Sequence, residues 1–426
     1  MPEKHKPLIG FFPLFFNLAE TGRSVIVAKR YIEQGGRAVF FSHGGGYEKL
    51  AEDIGCEVIR VSPVYTDEFI DDLWKYSRLE KKGPPFPVDV LTEHVEAESE
   101  VFKKSGVKLI VTTNNFPCSI SARVTKIPLV SITPKADVKF TKFPEYAEFP
   151  FIRFIPDFFK LKFLNWFYLN NKMWSRPFEK VAKMYNLPKF KSTVDINKGD
   201  YNFFTDFIQL LGISEADVEA NDFFIGPIFF DELFDKSNVE PESDEIVKKH
   251  LEKPGRSILF SMGSSGTEEF FIKILNALSK TDFNVVAVYS SILRENGLPV
   301  VGDNIILRRF VSSIEELNRI VDLAVLHGGQ GTVYTAAYSG KPVIGFPMQF
   351  EQHMNLEMLV ANGMAKFGSV RRFNEDGFLE SVNDIFDNYD RYFRNAQELA
   401  SILPEPRGDK NACEKLMFVL KKEGLL

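Results

Sequence analysis

The residues best suited to chemistry follow an apolar run in the C-terminal third of the chain. His327 comes directly after residues 321–326, and the turn behind it contains Gly329 and Gly331, with a helix expected to begin near Thr332. Glycines let a ligand approach the backbone, and a helix start presents unpaired N–H groups and the positive end of a dipole. The pattern predicts an anion site, whose usual occupant is phosphate. His327 can add a hydrogen bond or a positive charge.

Glu351 and Gln352 follow the next apolar run, which ends at Pro347. Both are expected at the carboxyl edge of the same sheet, where open α/β sheets bind their ligands. A carboxylate accepts hydrogen bonds from hydroxyls, and an amide both donates and accepts them. The pair is therefore suited to holding several hydroxyls of one ligand, although the helix dipole alone also favours an acid at a helix start.

A second unit of strand, glycine turn and helix lies earlier in the chain. The apolar run 257–262 leads into a turn that contains Ser264, and an amphipathic helix is expected over 269–278. The same physical reasoning predicts a second anion site, facing the first.

Three linked segments resemble the donor-binding region of GT-B-fold, nucleotide-sugar-dependent glycosyltransferases of family 1, in particular their bacterial and sterol-acting branch. They are His-Gly-Gly-Gln-Gly-Thr at 327–332, Ser-Gly-Lys-Pro at 339–342 and Pro-x-x-x-Glu-Gln-x-x-Asn at 347–355. The alternative is a purely structural turn, because glycine-rich turns also join ordinary strands and helices.

The resemblance implies a role for each part of this region. The donor diphosphate would be held by Gly329, Gly331, Thr332 and Ser264. His327 would stabilise the charge of the leaving group, and Glu351 and Gln352 would grip the sugar ring. Val311 would lie beside the nucleotide base, although the usual Phe-Val-Pro-Gln stretch is Phe-Val-Ser-Ser at 310–313 here. Thr335 stands where many relatives carry a ribose-binding glutamate.

The general base departs from the family pattern. Most relatives carry a histidine in the loop after the first strand, and that position falls on Glu20. The aspartate that often orients the histidine is Asn114 here. An ionised glutamate can serve as the base for a hydroxyl and would need no such partner. The resemblance thus implies Glu20 and His327 as catalytic residues and Asn114 on the acceptor side; a solvated loop acid or a charge at a helix N-terminus is the alternative for Glu20.

Strand and helix patterns alternate along the chain, which predicts parallel, doubly wound sheets. With the resemblance, we expect two Rossmann-like α/β domains facing a cleft: an acceptor domain over 1–235 and a donor domain over 250–408. The resemblance also implies that a last helix, in 409–426, crosses back onto the first domain. Residues 13–21 and 62–90 are expected to be loops, with the first helix beginning at Ser24.

Residues 136–180 interrupt this alternation with many aromatic residues and scattered lysines and arginines. Three interpretations stay open. The segment could be a helical insert that packs its rings on the core, it could line a greasy acceptor cleft, or its part over 140–178 could touch a membrane surface.

Composition narrows the class of protein. The 426 residues carry a net charge of -6, which argues against nucleic acid as a general partner. The three cysteines show no metal-ligand spacing and fit a reducing compartment as free, buried thiols. No signal peptide or apolar run of membrane-spanning length is evident. We expect a cytoplasmic enzyme, membrane-associated if the aromatic segment contacts lipid.

Taken together, these features predict an inverting glycosyltransferase that needs neither a metal nor a cofactor, since no Asp-x-Asp motif is evident. It would move a hexose from a nucleotide diphosphate sugar, with UDP expected, to a hydroxyl acceptor that is lipid-like. Two alternatives are a nucleotide-sugar epimerase on the same fold and a non-catalytic scaffold that binds nucleotide sugars.

Overall fold

The computed structural model describes residues 6–77, 80–135, 154–211, 213–233, 241–263, 266–289, 292–293 and 297–426. Ser264 and the first part of the aromatic segment, 136–153, lie outside the described residues.

The N-terminal elements alternate as expected of an α/β chain. They are β1 (Leu8–Pro13), α1 (Leu18–Glu33), β2 (Arg37–Ser42), α2 (Lys49–Asp53), β3 (Glu57–Arg60), α3 (Asp67–Ser77), α4 (Val88–Ser105), β4 (Leu109–Thr113), α5 (Cys118–Thr125), β5 (Leu129–Thr133), α6 (Asp157–Asn170), α7 (Ser175–Met184), β6 (Tyr201–Phe204), α8 (Ile208–Leu211) and β7 (Asp222–Phe224).

The C-terminal elements continue the alternation. They are α9 (Pro241–Leu251), β8 (Ser257–Ser261), α10 (Glu268–Leu278), β9 (Asn284–Val288), β10 (Ile305–Arg308), α11 (Ile314–Ile320), β11 (Leu323–Leu326), α12 (Gln330–Tyr338), β12 (Val343–Gly345), α13 (Phe350–Ala361), β13 (Ala365–Phe367), α14 (Glu375–Asp387), α15 (Tyr389–Ile402) and α16 (Gly408–Lys422).

The described strands form two sheets in which all pairs are parallel. Their orders are β3-β2-β1-β4-β5-β6-β7 and β10-β9-β8-β11-β12-β13. This confirms the predicted α/β fold with two parallel sheets. In each sheet the chain order reverses between two central strands, β1 and β4 in the first and β8 and β11 in the second. Such switch points are where open α/β sheets bind ligands, outside the carboxyl ends of the strands.

The chain divides into two compact units. The first collects residues of 1–139, 162–233 and 405–426, and the second those of 140–161 and 234–404. In the first unit α16 packs on α1, and Arg30 Nε donates a hydrogen bond to Asp409 Oδ2 at 2.6 Å. The cysteines Cys56, Cys118 and Cys413 are all free and buried, as predicted. Among the described helices, none combines the length and the apolar character needed to cross a membrane.

The predicted start of the first helix was wrong. Helix α1 begins at Leu18 rather than Ser24, because Asn17 caps it and accepts a hydrogen bond from Ala19 N at 3.0 Å. The helix includes Gly22, and the ring of Phe230 packs where a Cβ at this position would stand, at 2.6 Å. Glu20 therefore lies in the first turn of a helix and not in a loop.

Residues 62–90 were also wrongly expected to be loop-rich. Helix α3 occupies Asp67–Ser77, and the hydroxyl of Thr66 accepts a hydrogen bond from Phe69 N at 3.2 Å at its start. None of its residues is fully buried, although Phe69 and Leu73 on its apolar side pack partly buried against the core. The stretch between the two expected domains, 236–249, likewise contains most of a helix, α9.

Candidate functional site

The glycine turn after β11 lies beside the turn that leaves β8. The two strands pair in parallel with Leu326 opposite Ser261, so the turns that follow them leave the sheet at the same edge. The imidazole of His327 packs against glycines from both turns. A Cβ at Gly263 would lie 2.5 Å from His327 Cε1, and a Cβ at Gly329 would overlap its Nε2. Both positions must therefore be glycine, because the histidine ring fills the space of a side chain.

His327 is neutral at physiological pH. Its side chain is buried, and desolvation lowers its pKa from 6.5 to about 4, against the opposing effect of a hydrogen bond to the backbone of Ser261. Of the two roles predicted for His327, a hydrogen bond or a positive charge, burial favours the hydrogen bond. The imidazole can act only through packing and hydrogen bonding, and its Nδ1 is a buried atom without a hydrogen-bond partner in the described structure.

The turn continues into helix α12, which begins at Gln330 with Gly329 as its N-cap. Gly329 brings no capping side chain, so the first-turn N–H groups of the helix are left to a ligand. The hydroxyl of Thr332 donates back to Gly329 O at 3.0 Å, and Asn355 Nδ2 holds Gly328 O from α13 at 3.0 Å. A Cβ at Gly331 would meet no atom, so this position faces open space. The geometry fits an anion approaching the helix start.

Glu351 and Gln352 differ in how they are placed. Both lie in the first turn of α13; Glu351 is exposed, whereas Gln352 is buried. Gln352 Oε1 accepts a hydrogen bond from Met348 N at 2.8 Å. The amide oxygen thus closes the loop that leads into α13, which leaves Glu351 as the solvent-facing acid of the predicted sugar-binding pair.

The structure places the other predicted donor residues as follows. Val311 is half-buried behind β10 and packs on the core beside α11. Two residues on, Ser313 caps α11, and its hydroxyl accepts from Glu316 N at 3.1 Å. This gives the serine that replaces the family glutamine a structural role. Thr335, at the position of the ribose-binding glutamate, donates its hydroxyl to Gly331 O at 2.5 Å and is buried.

The switch point of the first sheet brings Glu20 and Asn114 into contact. Glu20, on the helix after β1, is buried, and its Oε1 accepts a hydrogen bond from Asn114 Nδ2 and lies 2.8 Å from Arg23 Nη2. The other carboxylate oxygen, Oε2, is buried and has no partner among the described residues. That a glutamate base needs no such partner stays a prediction; in the structure the amide of Asn114 holds one oxygen of Glu20, and the second carries no hydrogen bond from a described residue.

Asn114 is itself held by Asn197, a residue from a later part of the first unit. Its backbone is left-handed, with φ of 55°, and its Oδ1 accepts a hydrogen bond from Asn197 Nδ2 at 2.5 Å. A carboxylate only accepts hydrogen bonds, so the NH₂ group of Asn114 must face Glu20 and its oxygen must face Asn197. Arg23 and Asn197 were missed by sequence reasoning. Asn197 lies 83 residues along the chain from Asn114, and no local pattern joins them.

A second buried acid lies next to this group and was also missed. Glu98 on α4 accepts from Asn115 Nδ2 at 3.4 Å and from the hydroxyl of Ser121, and its Oε1 lies 2.9 Å from His43 Nε2. His43 Nδ1 lies 3.0 Å from Pro63 O and must therefore carry a hydrogen. The adjacent residues Asn114 and Asn115 thus serve two different carboxylates, which ties the loop after β4 down on both sides.

Known proteins are similar to this chain over both of its halves. Residues 257–409 match the family described as the glycosyltransferase family 28 C-terminal domain. A PGL/p-HBAD biosynthesis glycosyltransferase of Mycobacterium tuberculosis is 23% identical over 325 residues, covering 72% of this chain and 69% of that protein. UDP-glucuronosyltransferase 2B15 of Rattus norvegicus is 32% identical over 105 residues, covering 24% of this chain and 20% of that protein. The calicheamicin glycosyltransferase CalG4 has the same fold, with a TM-score of 0.67 at 13% identity over 98% of this chain and 99% of that one.

Proposed function

We propose that the chain, a glycosyltransferase of the GT-B type, transfers a hexose from a UDP-sugar to a hydroxyl acceptor, with inversion and without a metal ion. The observation that carries the proposal is the start of α12, which has no capping side chain and faces open space at Gly331. UDP is supported by the name of the rat relative, whose matched segment covers 24% of this chain.

The leaving group would be stabilised mainly by the backbone. When the bond from the anomeric carbon to the phosphate oxygen breaks, negative charge grows on the diphosphate. The N–H groups of the first turn of α12, including those of Gly331 and Thr332, and the positive end of the helix dipole would stabilise that charge. Neutral His327 shapes the turn and can contribute a hydrogen bond. Ser264, which follows Gly263, would supply its hydroxyl to the same diphosphate.

The acceptor would be activated by Glu20. Its Oε2 would take the proton of the acceptor hydroxyl as the hydroxyl oxygen forms its bond to the anomeric carbon. The bond electrons leave with the diphosphate. Because the hydroxyl oxygen would attack the face opposite the diphosphate, this single displacement inverts the anomeric configuration. Arg23 and Asn114 hold Oε1 and keep the carboxylate in one orientation. Glu351, on the sugar side, would accept hydrogen bonds from hydroxyls of the hexose.

A lipid-like acceptor is supported by helix α6. This helix carries large apolar side chains that are exposed, among them Phe163 and Trp166. An acceptor with an apolar body and one hydroxyl would complement such a surface.

The test is a transfer assay in which UDP-glucose and UDP-galactose are incubated with apolar alcohols, phenols and a sterol. We expect UDP release that depends on acceptor, and a β-linked product from the α-linked donor by proton NMR of the anomeric signal. His327→Ala should lower this release, but by less than Glu20→Gln does, while its far-UV circular dichroism stays native. A changed sugar without an added acceptor would instead show an epimerase, and nucleotide binding without turnover on any donor would show a scaffold.

A further inference from the structure

Helix α6 turns its most apolar face toward solvent. Phe158, Phe159, Phe163 and Trp166 are 69%, 62%, 63% and 61% exposed, and Phe167 is also exposed. At about 100° per residue these five side chains cover one half of the helix circumference. We call this surface the aromatic face of α6. Single exposed apolar residues are ordinary, but a contiguous aromatic surface marks an interaction site.

The opposite face of the helix is the buried one. Lys160 and Leu164 are 8% and 7% exposed, and Lys160 Nζ lies 2.7 Å from Asp157 Oδ1. A helix that only packed on the core would bury its phenylalanines and expose its lysine. The orientation of α6 is the reverse, so core packing does not account for its sequence.

Positive charge accompanies the aromatic face. Lys162 is exposed on the same side of α6, where its long side chain can carry its ammonium group past the rings. Beside the helix is a cavity of about 760 Å³ that Trp166 and Phe167 line together with Lys172, Arg176 and Lys180. Lys172 lies 3.3 Å from Glu179, whereas Arg176 and Lys180 are exposed on α7. The surface thus joins aromatic rings to a group of cations.

We propose that the aromatic face of α6 and the cations of this cavity dock the protein on an anionic lipid bilayer. The rings would lie at the level of the headgroups, and Lys162, Arg176 and Lys180 would meet lipid phosphates. Aromatic residues with basic neighbours are typical of helices that lie in the membrane interface. The 14 residues of α6 are about 21 Å long, less than the hydrocarbon thickness of about 30 Å, so the helix lies on the surface.

A bilayer fits the surface better than a protein partner does, because aromatic rings and cationic side chains lie next to each other on it. Lipid phosphates offer many anions at no fixed spacing, which suits three long, exposed cationic side chains. The overall net charge of -6 would repel an anionic membrane, so a local group of cations must set the orientation of docking.

The experiment is co-sedimentation of the full chain with vesicles of phosphatidylcholine alone or with added phosphatidylglycerol. We expect binding to the anionic vesicles that weakens with salt, and a blue shift of tryptophan emission. The combined variant Phe159→Ser, Phe163→Ser, Trp166→Ser should lower the affinity for these vesicles more than tenfold, since burial of even one aromatic side chain is worth about 1.4 kcal/mol. Val300→Ser with Ile402→Ser, which removes two exposed apolar side chains elsewhere, should bind as wild type.

A charge-matched pair of variants separates local from general electrostatics. Lys162→Gln, Arg176→Gln, Lys180→Gln should lose affinity for anionic vesicles. Lys49→Gln, Lys104→Gln, Lys249→Gln removes the same charge from side chains that are 79%, 72% and 71% exposed elsewhere, and should retain it. Equal losses in both variants, no binding to either vesicle, or a chain that self-associates through α6 would each overturn the proposal.

Folding and function are monitored separately. Every variant should keep the wild-type circular dichroism spectrum, so a loss of vesicle binding is not a loss of fold. Vesicle binding needs no sugar donor, and its outcome is therefore independent of whether the proposed transfer reaction is correct.

Discussion

The candidate sites at the two switch points of this chain are built from different kinds of groups. In the second unit the candidate site is mainly backbone: glycines, a helix start and a neutral histidine that packs between them. In the first unit it is made of side chains, with Glu20 held by Arg23 and Asn114. The proposed roles would account for this difference. A diphosphate is common to all nucleotide diphosphate donors and would need only a backbone cradle, whereas hydroxyl acceptors vary and would be met by side chains.

The two sites also differ in charge. Burial keeps His327 neutral at the second switch point, so the field there comes from helix N–H groups. The first switch point contains an ion pair, in which Arg23 compensates the buried acid. The comparison predicts that chemistry depends most on Glu20, whereas folding near the donor site depends most on the fit between His327 and its glycines.

Removing the acid should have the largest effect. Glu20→Gln keeps the size of the side chain but removes the base, and we expect turnover to fall about 100-fold or more. Nucleotide binding, measured by thermal shift, should remain. Glu33→Gln is the matched control, because Glu33 also pairs with an arginine three residues away on α1, at 3.1 Å. A Glu20→Gln enzyme with wild-type turnover would remove the base from the account.

Lowering the pH should destabilise the protein through the buried His327 at the second switch point. The folded-state pKa of His327, about 4, lies below the unfolded value of 6.5. The unfolded chain therefore binds more protons between these values, and stability is lost as pH falls from 6.5 toward 4. Between pH 7 and pH 5 this one residue should cost about 2 kcal/mol of unfolding free energy.

Urea unfolding at the two pH values measures this loss. His327→Asn should show a smaller pH dependence than wild type, whatever its stability at pH 7, because the other histidines contribute equally to both proteins. Identical pH dependence in the two proteins would mean that His327 is not desolvated as described.

The glycines of the turn should separate folding from binding. Gly329→Ala places a methyl group on His327 and should destabilise the protein by about 1–3 kcal/mol. Gly331→Ala faces open space and should unfold like wild type, with no steric cost. Thermal unfolding of the two variants is the measurement. If both unfold alike, the histidine does not fill the turn.

The site formed by the side chains of Glu20 and Asn114 should tolerate a paired substitution of both residues. Asn114→Asp places a second carboxylate beside Glu20 and removes its hydrogen-bond donor, and should lower turnover about tenfold. The double variant Glu20→His, Asn114→Asp restores the histidine and aspartate of the family pattern and should be more active than Glu20→His alone. A double variant no better than the single one would show that the two positions are not coupled.

Sequence reasoning succeeded where the evidence was local. The 327–332 turn and its linked segments are contiguous, so their fold and the strand-end position of His327 could be predicted. The start of α1 was missed although its signal is local, since Asn17 caps the helix. Asn197 was missed because it lies 83 residues from Asn114, and the neutrality of His327 depends on burial, which no residue pattern reveals.

The central claim is that the start of α12 holds the diphosphate of the donor. Calorimetric titration with UDP of wild type, Glu20→Gln and Gly331→Ala tests it most directly. We predict one site of equal affinity in the first two proteins and a loss of about tenfold in Gly331→Ala, whose methyl group would occupy the space that the diphosphate needs. Wild-type affinity in a folded Gly331→Ala protein would contradict the account.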